Sequence, residues 1–342
     1  MKKLLVFAMV VAGLTIFNGC QKDEFGVSQM ANDEQPRVAV KPDVYVENGY
    51  LVFKGIEAVD SVINMLASMT EEKKEDWEAG IGFKSARAEF SKLYGEYEKL
   101  ESKEEYLSFR SKFESKLKFE GENPEEWSVD YPFATRYFIP VLNEEGVLKI
   151  GKSIIKYTKQ NHIIVLDGDL EKLNNLDKYA NNDEVIIKPI LKSSGDASIS
   201  MDNFADDNPD PYQNPDEWYT VDKRRLRNEL IWDTYYYDDG FNVYSGWKLL
   251  FYQKGETKGI FGWRRYKTVY GTQDIYVKVG NYPSYWINRY VAKLTPEVYD
   301  STIECGADHQ TGTTQLFYYR PTVDFSAITY SRGVGLWYPV TH

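Results

Sequence analysis

The chain has 342 residues, with 41 Lys and Arg against 52 Asp and Glu and a formal net charge of −11. That length suggests two domains, or three, with enough material for a sizeable core. The acidic balance is a poor match for nucleic acid, whose phosphates need basic surface. Two cysteines and three widely spaced histidines, His162, His309 and His342, offer no zinc-ligand spacing. No metal or cofactor is expected.

In chain order, Lys2 and Lys3 precede an uncharged apolar run from Leu4 to Phe17. The run is shorter than the roughly 20 residues of a membrane span and has the size of a signal-peptide core. Gly19 then precedes Cys20. Together "FNGC" resembles the lipobox of bacterial lipoproteins, with Phe17 where Leu is usual and Asn18 where Ala or Ser is usual. The resemblance implies that residues 1–19 are removed and that Cys20 carries diacylglycerol and an N-acyl chain. The next four residues, Gln21, Lys22, Asp23 and Glu24, resemble the surface-export signal of Bacteroidota lipoproteins. The chain as a whole looks like an uncharacterised Bacteroidota surface lipoprotein of the domain-of-unknown-function kind. The resemblance implies a membrane partner through the lipid on Cys20 and a place on the outer membrane facing the exterior. It carries no activity.

Residues 20–41 are polar and read as a flexible tether. Residues 42–192 read as an α+β domain. Asn48-Gly49 predicts a hairpin over 44–55, and Ile56, Val59, Ile63 and Leu66 predict a helix. Thr70 caps a further helix. Phe90, Leu93, Tyr94 and Tyr97, then Tyr106, Phe109, Phe113 and Leu117, form two stripes on helices that bury them. Residues 137–166 change to a strand period, with turns at "NEEG", "GK" and "KQN".

Residues 193–220 carry seven acids, three prolines and no Lys or Arg, and predict an acidic linker. Residues 221–342 hold 26 of the 52 Phe, Trp and Tyr residues. Their alternation predicts seven or more antiparallel strands in a sandwich or barrel. The fold class expected is therefore α+β, a helix-rich region with hairpins followed by an aromatic β domain.

Candidate chemistry is sparse. Asp167-Gly168-Asp169 could hold a metal and a sugar nucleotide, but a helix cap at Asp169 or Asp167 is the simpler reading. The acids of 202–217 lack the spacing that wraps calcium. Cys305 and His309 in "ECGADHQ" could meet in a Gly-containing loop as a thiolate–imidazole pair, but a structural thiol next to a strand is the favoured reading. No catalytic residue is assigned. The ligand-binding candidates are Tyr235, Tyr237, Trp263 and Tyr266, aromatic rings flanked by polar residues. The expected role is non-enzymatic binding or adhesion to a glycan or protein through the C-terminal β domain. A surface hydrolase for glycans or peptides, and a scaffold subunit of an outer-membrane complex, are the alternatives.

Overall fold

The computed structural model describes residues 43–179, 183–189, 218–221, 223–279, 285–289, 293–295, 297–311, 323–331 and 337–341. Cys20, the export-like stretch 21–24, the tether and nearly all of the acidic stretch lie outside the described residues.

Strands β1 (Val44–Glu47) and β2 (Tyr50–Phe53) form the expected hairpin. Asn48 and Gly49 sit at φ 50° and 81°, the left-handed pair that a two-residue hairpin turn requires. Four helices follow: α1 (Ile56–Ala67), α2 (Glu71–Ile81), α3 (Ala86–Tyr97) and α4 (Lys103–Phe113). Thr70 and Ser85 accept from the third backbone N–H of their helices, and Ser102 with Glu105 completes a capping box. Both aromatic stripes are buried where the spacing placed them: Phe90, Leu93, Tyr94, Tyr97, Tyr106, Phe109 and Leu117 form one cluster with Trp127 and Val129.

A two-stranded ribbon, β3 (Lys118–Glu120) and β4 (Ser128–Asp130), leads to a turn of 3-10 helix at Ile139–Val141. The spacing predicted a strand at this point. Pro140 offers no N–H for a ladder and favours the first turn of a helix instead. Then come β5 (Val147–Ile150), β6 (Ser153–Tyr157) and β7 (Asn161–Val165), the short helices α5 (Leu170–Asn174) and α6 (Leu176–Tyr179), and β8 (Val185–Pro189). Asp169 caps α5 through the N–H of Glu171, which settles the DGD stretch as a cap. These strands make a six-stranded sheet in the order β1-β2-β5-β6-β7-β8, antiparallel except for β2 against β5.

The later strands are β9 (Trp218–Val221), β10 (Arg224–Asp238), β11 (Val243–Lys258), β12 (Trp263–Arg265), β13 (Tyr270–Val279), β14 (Tyr285–Arg289), β15 (Lys293–Leu294), β16 (Asp300–Thr311), β17 (Val323–Ser331) and β18 (Trp337–Thr341). All their pairings are antiparallel among the described residues. One sheet is β12-β11-β10-β9 with β16 beside β11, and a second is β14-β13-β17-β18 with β15 beside β13. Among the described residues no sheet closes into a barrel. The molecule is thus mixed α+β with strands dominating.

"ECGADHQ" is strand throughout. Leu249 pairs with Gly306 but Leu250 pairs with Glu304, so Cys305 is the extra residue of a β-bulge. The bulge breaks the alternation. Ser301, Ile303 and Cys305 are buried, and beyond it Ala307 and Thr311 are exposed.

Lys41 onward is one compact unit, and the stretches 42–192 and 221–342 share its core. Tyr235, Tyr236 and Tyr237 of β10 belong to the same cluster as Phe53, Val59, Phe138 and Ile155. No described helix is long and apolar enough to cross a membrane.

Candidate functional site

Strand β11 is buried on both faces from Ser245 to Glu256, although every second residue of one face is polar. In register along that face lie Tyr244, Gly246, Lys248, Leu250, Tyr252, Lys254 and Glu256. The opposite face meets the second sheet, where Thr272 donates to Gln253 at 2.9 Å.

The N-terminal region supplies the counter-charges for the polar face. Lys254, 1% exposed, meets Asp130 at 3.0 Å, and Arg136 clamps the same carboxylate at 2.6 and 2.8 Å. Burial alone would push the Asp130 carboxyl up; Arg136 and Lys254 overrule it and hold it well below the usual range. Glu120 is likewise desolvated, and Lys254, Arg227 and Lys118 bring it down to about 2. Arg225 bonds Glu256 at 2.5 Å and lies between the rings of Trp218 and Trp263, 3.8 and 4.1 Å from their centres. Asp233 of β10 accepts from Thr135 Oγ1 and from the backbone N–H of Arg136 and Tyr137, at 2.8–3.0 Å. That one carboxylate fixes the loop that carries Arg136 and Tyr137 onto the sheet.

The covering layer stops before β16. On this face Thr302, Ala307 and Thr311 are exposed and Glu304 and His309 half-exposed, while their neighbours on β10 and β11 are buried, apart from the half-exposed Tyr244 and Ile231. A ledge results, with α1 and Tyr137 as its wall and β16 as its open floor. At the foot of the wall Lys248 bridges Asp60 at 2.9 Å and Glu304 at 3.3 Å. The two carboxylate side chains keep 33% and 41% of their surface in water. Tyr137 donates to Asp60, and burial together with that bond pushes its phenol up, so it stays a donor. The bulge at Cys305 is what turns Glu304 toward Lys248; in unbroken register Cys305 would face it instead.

One turn along the sheet, Tyr237, Tyr244 and His309 stand nearly parallel, with centres 4.8 and 5.2 Å apart. Gly246 separates Tyr235 from His309 in the register, and across it the Tyr235 hydroxyl and His309 Nδ1 share a hydrogen bond of 3.1 Å. Asp239 accepts from the Tyr244 hydroxyl at 2.9 Å.

The four rings chosen from sequence fare differently. Tyr235 and Tyr237 meet at the ledge but are 3% and 2% exposed, so they support it from beneath instead of presenting a face to solvent. Tyr237 also accepts from Ile56 N at 3.4 Å, serving the start of α1, whose Gly55 has no capping side chain. Trp263 lies roughly 40 Å and Tyr266 roughly 30 Å away along β11. Trp263 is buried under Arg225 and Lys258, and Tyr266 is half-buried beneath Arg224. The sequence neighbours Arg264, Arg265 and Lys267 suggest exposure; cations from other strands, Arg225 and Lys258 on Trp263 and Arg224 on Tyr266, lie against the ring faces instead. The residues that reach solvent at the ledge, Asp60, Glu304, Tyr244 and His309, were not singled out as ligand contacts. Only the disfavoured pairing of Cys305 with His309 touched this strand. Among the described residues no group of three or more His, Cys, Asp or Glu side chains is placed to hold a metal ion.

No protein-family model matches the sequence, and no curated protein matches it. Among solved structures the chain is similar to a DUF4848 family protein from Bacteroides thetaiotaomicron, at 15% identity and a TM-score of 0.32, over 87% of this chain and 100% of that one. A likeness of that degree assigns no function, and the chemistry of the ledge rests on its own residues.

Proposed function

We propose that the protein is an outer-membrane surface lipoprotein, anchored through Cys20 and carrying Gln21–Glu24 as its export signal, with a non-enzymatic binding or adhesion role. Its contact surface is the ledge on the C-terminal sheets, which form a sandwich beneath it. The observation that carries this reading is the pair of half-exposed carboxylates, Asp60 and Glu304, held by one buried ammonium beside the half-exposed Tyr244 and His309. Such a surface offers fixed acceptors to hydroxyl or amide donors and ring edges to an apolar face. A glycan or a protein loop fits it. A hydrolase would need space for water or a scissile bond between the carboxylates; Lys248 fills that space, which favours binding over cleavage.

The test is an array of glycans and proteins probed with the chain from residue 21 onward. Glu304→Lys and Tyr244→Ala should each weaken the ligands found. A stacking ring is worth about 0.5–1.5 kcal/mol, so losing Tyr244 should cost about two- to tenfold in affinity. Unchanged binding by both variants would remove the ledge from consideration. Palmitate labelling of the parent, lost in Cys20→Ser, tests the anchor separately.

A further inference from the structure

A second concave site lies away from the ledge, on the rim of the six-stranded sheet. It is an open groove of about 710 Å³, within the range of ligand pockets. Pro132 and Phe133 lie in it, and Lys116, Lys156 and Lys159 line it together with Glu144 and Glu145. Gly146 seats the phenyl: at φ +79° a Cβ there would fall 2.6 Å from the Phe133 ring. The ring is therefore fixed and half-exposed.

Two of the three ammonium groups are committed. Lys116 pairs with Glu89 at 2.8 Å, and Lys159 donates to the carbonyl of Glu114. Lys156, half-buried on β6, has no ion-pair partner among the described residues. The backbone of the rim is also committed: Ala134 N bonds Thr158 O, Tyr157 N bonds Gly146 O and Thr158 N bonds Asn161 O. Strand β6 is paired on both sides, by β5 and β7. A peptide that binds by strand addition finds no edge here.

Recognition must then run through side chains. One fixed ring, one uncommitted ammonium and a border of Ser115, Gln160 and Glu145 suit a sugar ring with a negative substituent. The ring's C–H face would lie on Phe133, its carboxylate or sulfate on Lys156, and its hydroxyls on the polar border. We propose that this groove binds a short anionic saccharide, independently of the ledge.

The full chain would be titrated by calorimetry with tetragalacturonate, a heparin-derived tetrasaccharide, neutral cellotetraose and tetraglutamate. The first two separate carboxylate from sulfate as the anion. At least one of them should bind, more weakly as salt rises, and the neutral sugar and the peptide should not compete with it. Lys156→Ala should weaken binding by about tenfold or more, Lys156→Arg should retain it, and Phe133→Ala should cost about two- to tenfold. Glu145 is exposed, so Glu145→Lys keeps the fold and should tighten the anionic sugar about threefold. Failure of both anionic sugars to bind, equal binding of cellotetraose or tetraglutamate, or indifference to both Lys156→Ala and Glu145→Lys would overturn the assignment.

Discussion

At the scale of single residues, acid sensitivity has an identifiable source. His162 on β7 is buried, stacked on Tyr157 at 4.6 Å, and its Nε2 has no hydrogen-bond partner among the described residues. Burial pulls its pKa down to about 3. An unfolded histidine titrates near 6.5, so between these values the unfolded chain binds the extra proton and stability falls as pH falls. Going from pH 7 to pH 5 should cost about 2 kcal/mol from this residue alone. His162→Phe keeps the stack and removes the titration. Thermal melts of the variant should be nearly flat between pH 7 and 5, while the parent's midpoint drops. A parallel drop in both would assign the sensitivity elsewhere. Glu120 and Asp130 are also depressed, so their contribution is lost below the histidine window, as pH falls from the ordinary carboxylate range toward their lowered folded values. Lys254 gives a second prediction. Lys254→Met leaves Glu256 with Arg225 alone and takes one of two cations from Asp130. Breaking a buried pair on one side costs about 3–5 kcal/mol, readable as a lowered urea midpoint. A loss under 1 kcal/mol would mean that water reaches the pair.

At the scale of elements, the helices were legible and the critical strand was not. Thr70, Ser85 and Ser102 cap helices whose apolar stripes recur every three or four residues, and both signals are local. The hairpin at Asn48-Gly49 is equally local. Strand β16 failed on two counts. Cys305 breaks its alternation, and Gly306 and Asp308 resemble a turn. Strand β11 failed differently. Its alternation was visible, but a polar face ordinarily means solvent, and here Asp130, Asp60, Arg136 and Glu120 cover it from far away in sequence. Asp60 and Lys248 are 188 positions apart, a pairing that no window of sequence contains. The bulge itself is testable. Deleting Cys305 removes the extra residue, so Leu249–Gly306 and Leu250–Glu304 should become consecutive pairs of one regular ladder, with Ile303 still buried and Glu304 still toward Lys248. Ledge binding should then survive the deletion, as it should survive Cys305→Ala. Loss of binding on deletion, with Cys305→Ala binding normally, would mean that the register read for β16 is wrong.

At the scale of the whole molecule, the ledge exists because one layer covers most, but not all, of another's polar face. Tyr97 and Tyr106 on α3 and α4 donate to the carbonyls of Trp263 and Phe261, at 3.4 and 2.7 Å. Asp60 and Tyr137 reach Lys248 at the other end of β11. Ion pairs buried in this way add little net stability compared with apolar replacements, and here they tie the N-terminal layer to β11 at Asp60–Lys248 and Asp130–Lys254. The wall of the ledge is therefore set by the N-terminal layer and its floor by the C-terminal sheet. Neither region alone would build it. The most direct test is hydrogen exchange on the full chain, free and saturated with a ligand found by the array. The account predicts slowed exchange in peptides covering 56–64, 244–250 and 302–311, with these effects abolished together in Glu304→Lys. Protection lying wholly outside these three segments, with 302–311 exchanging as in the free protein, would contradict it.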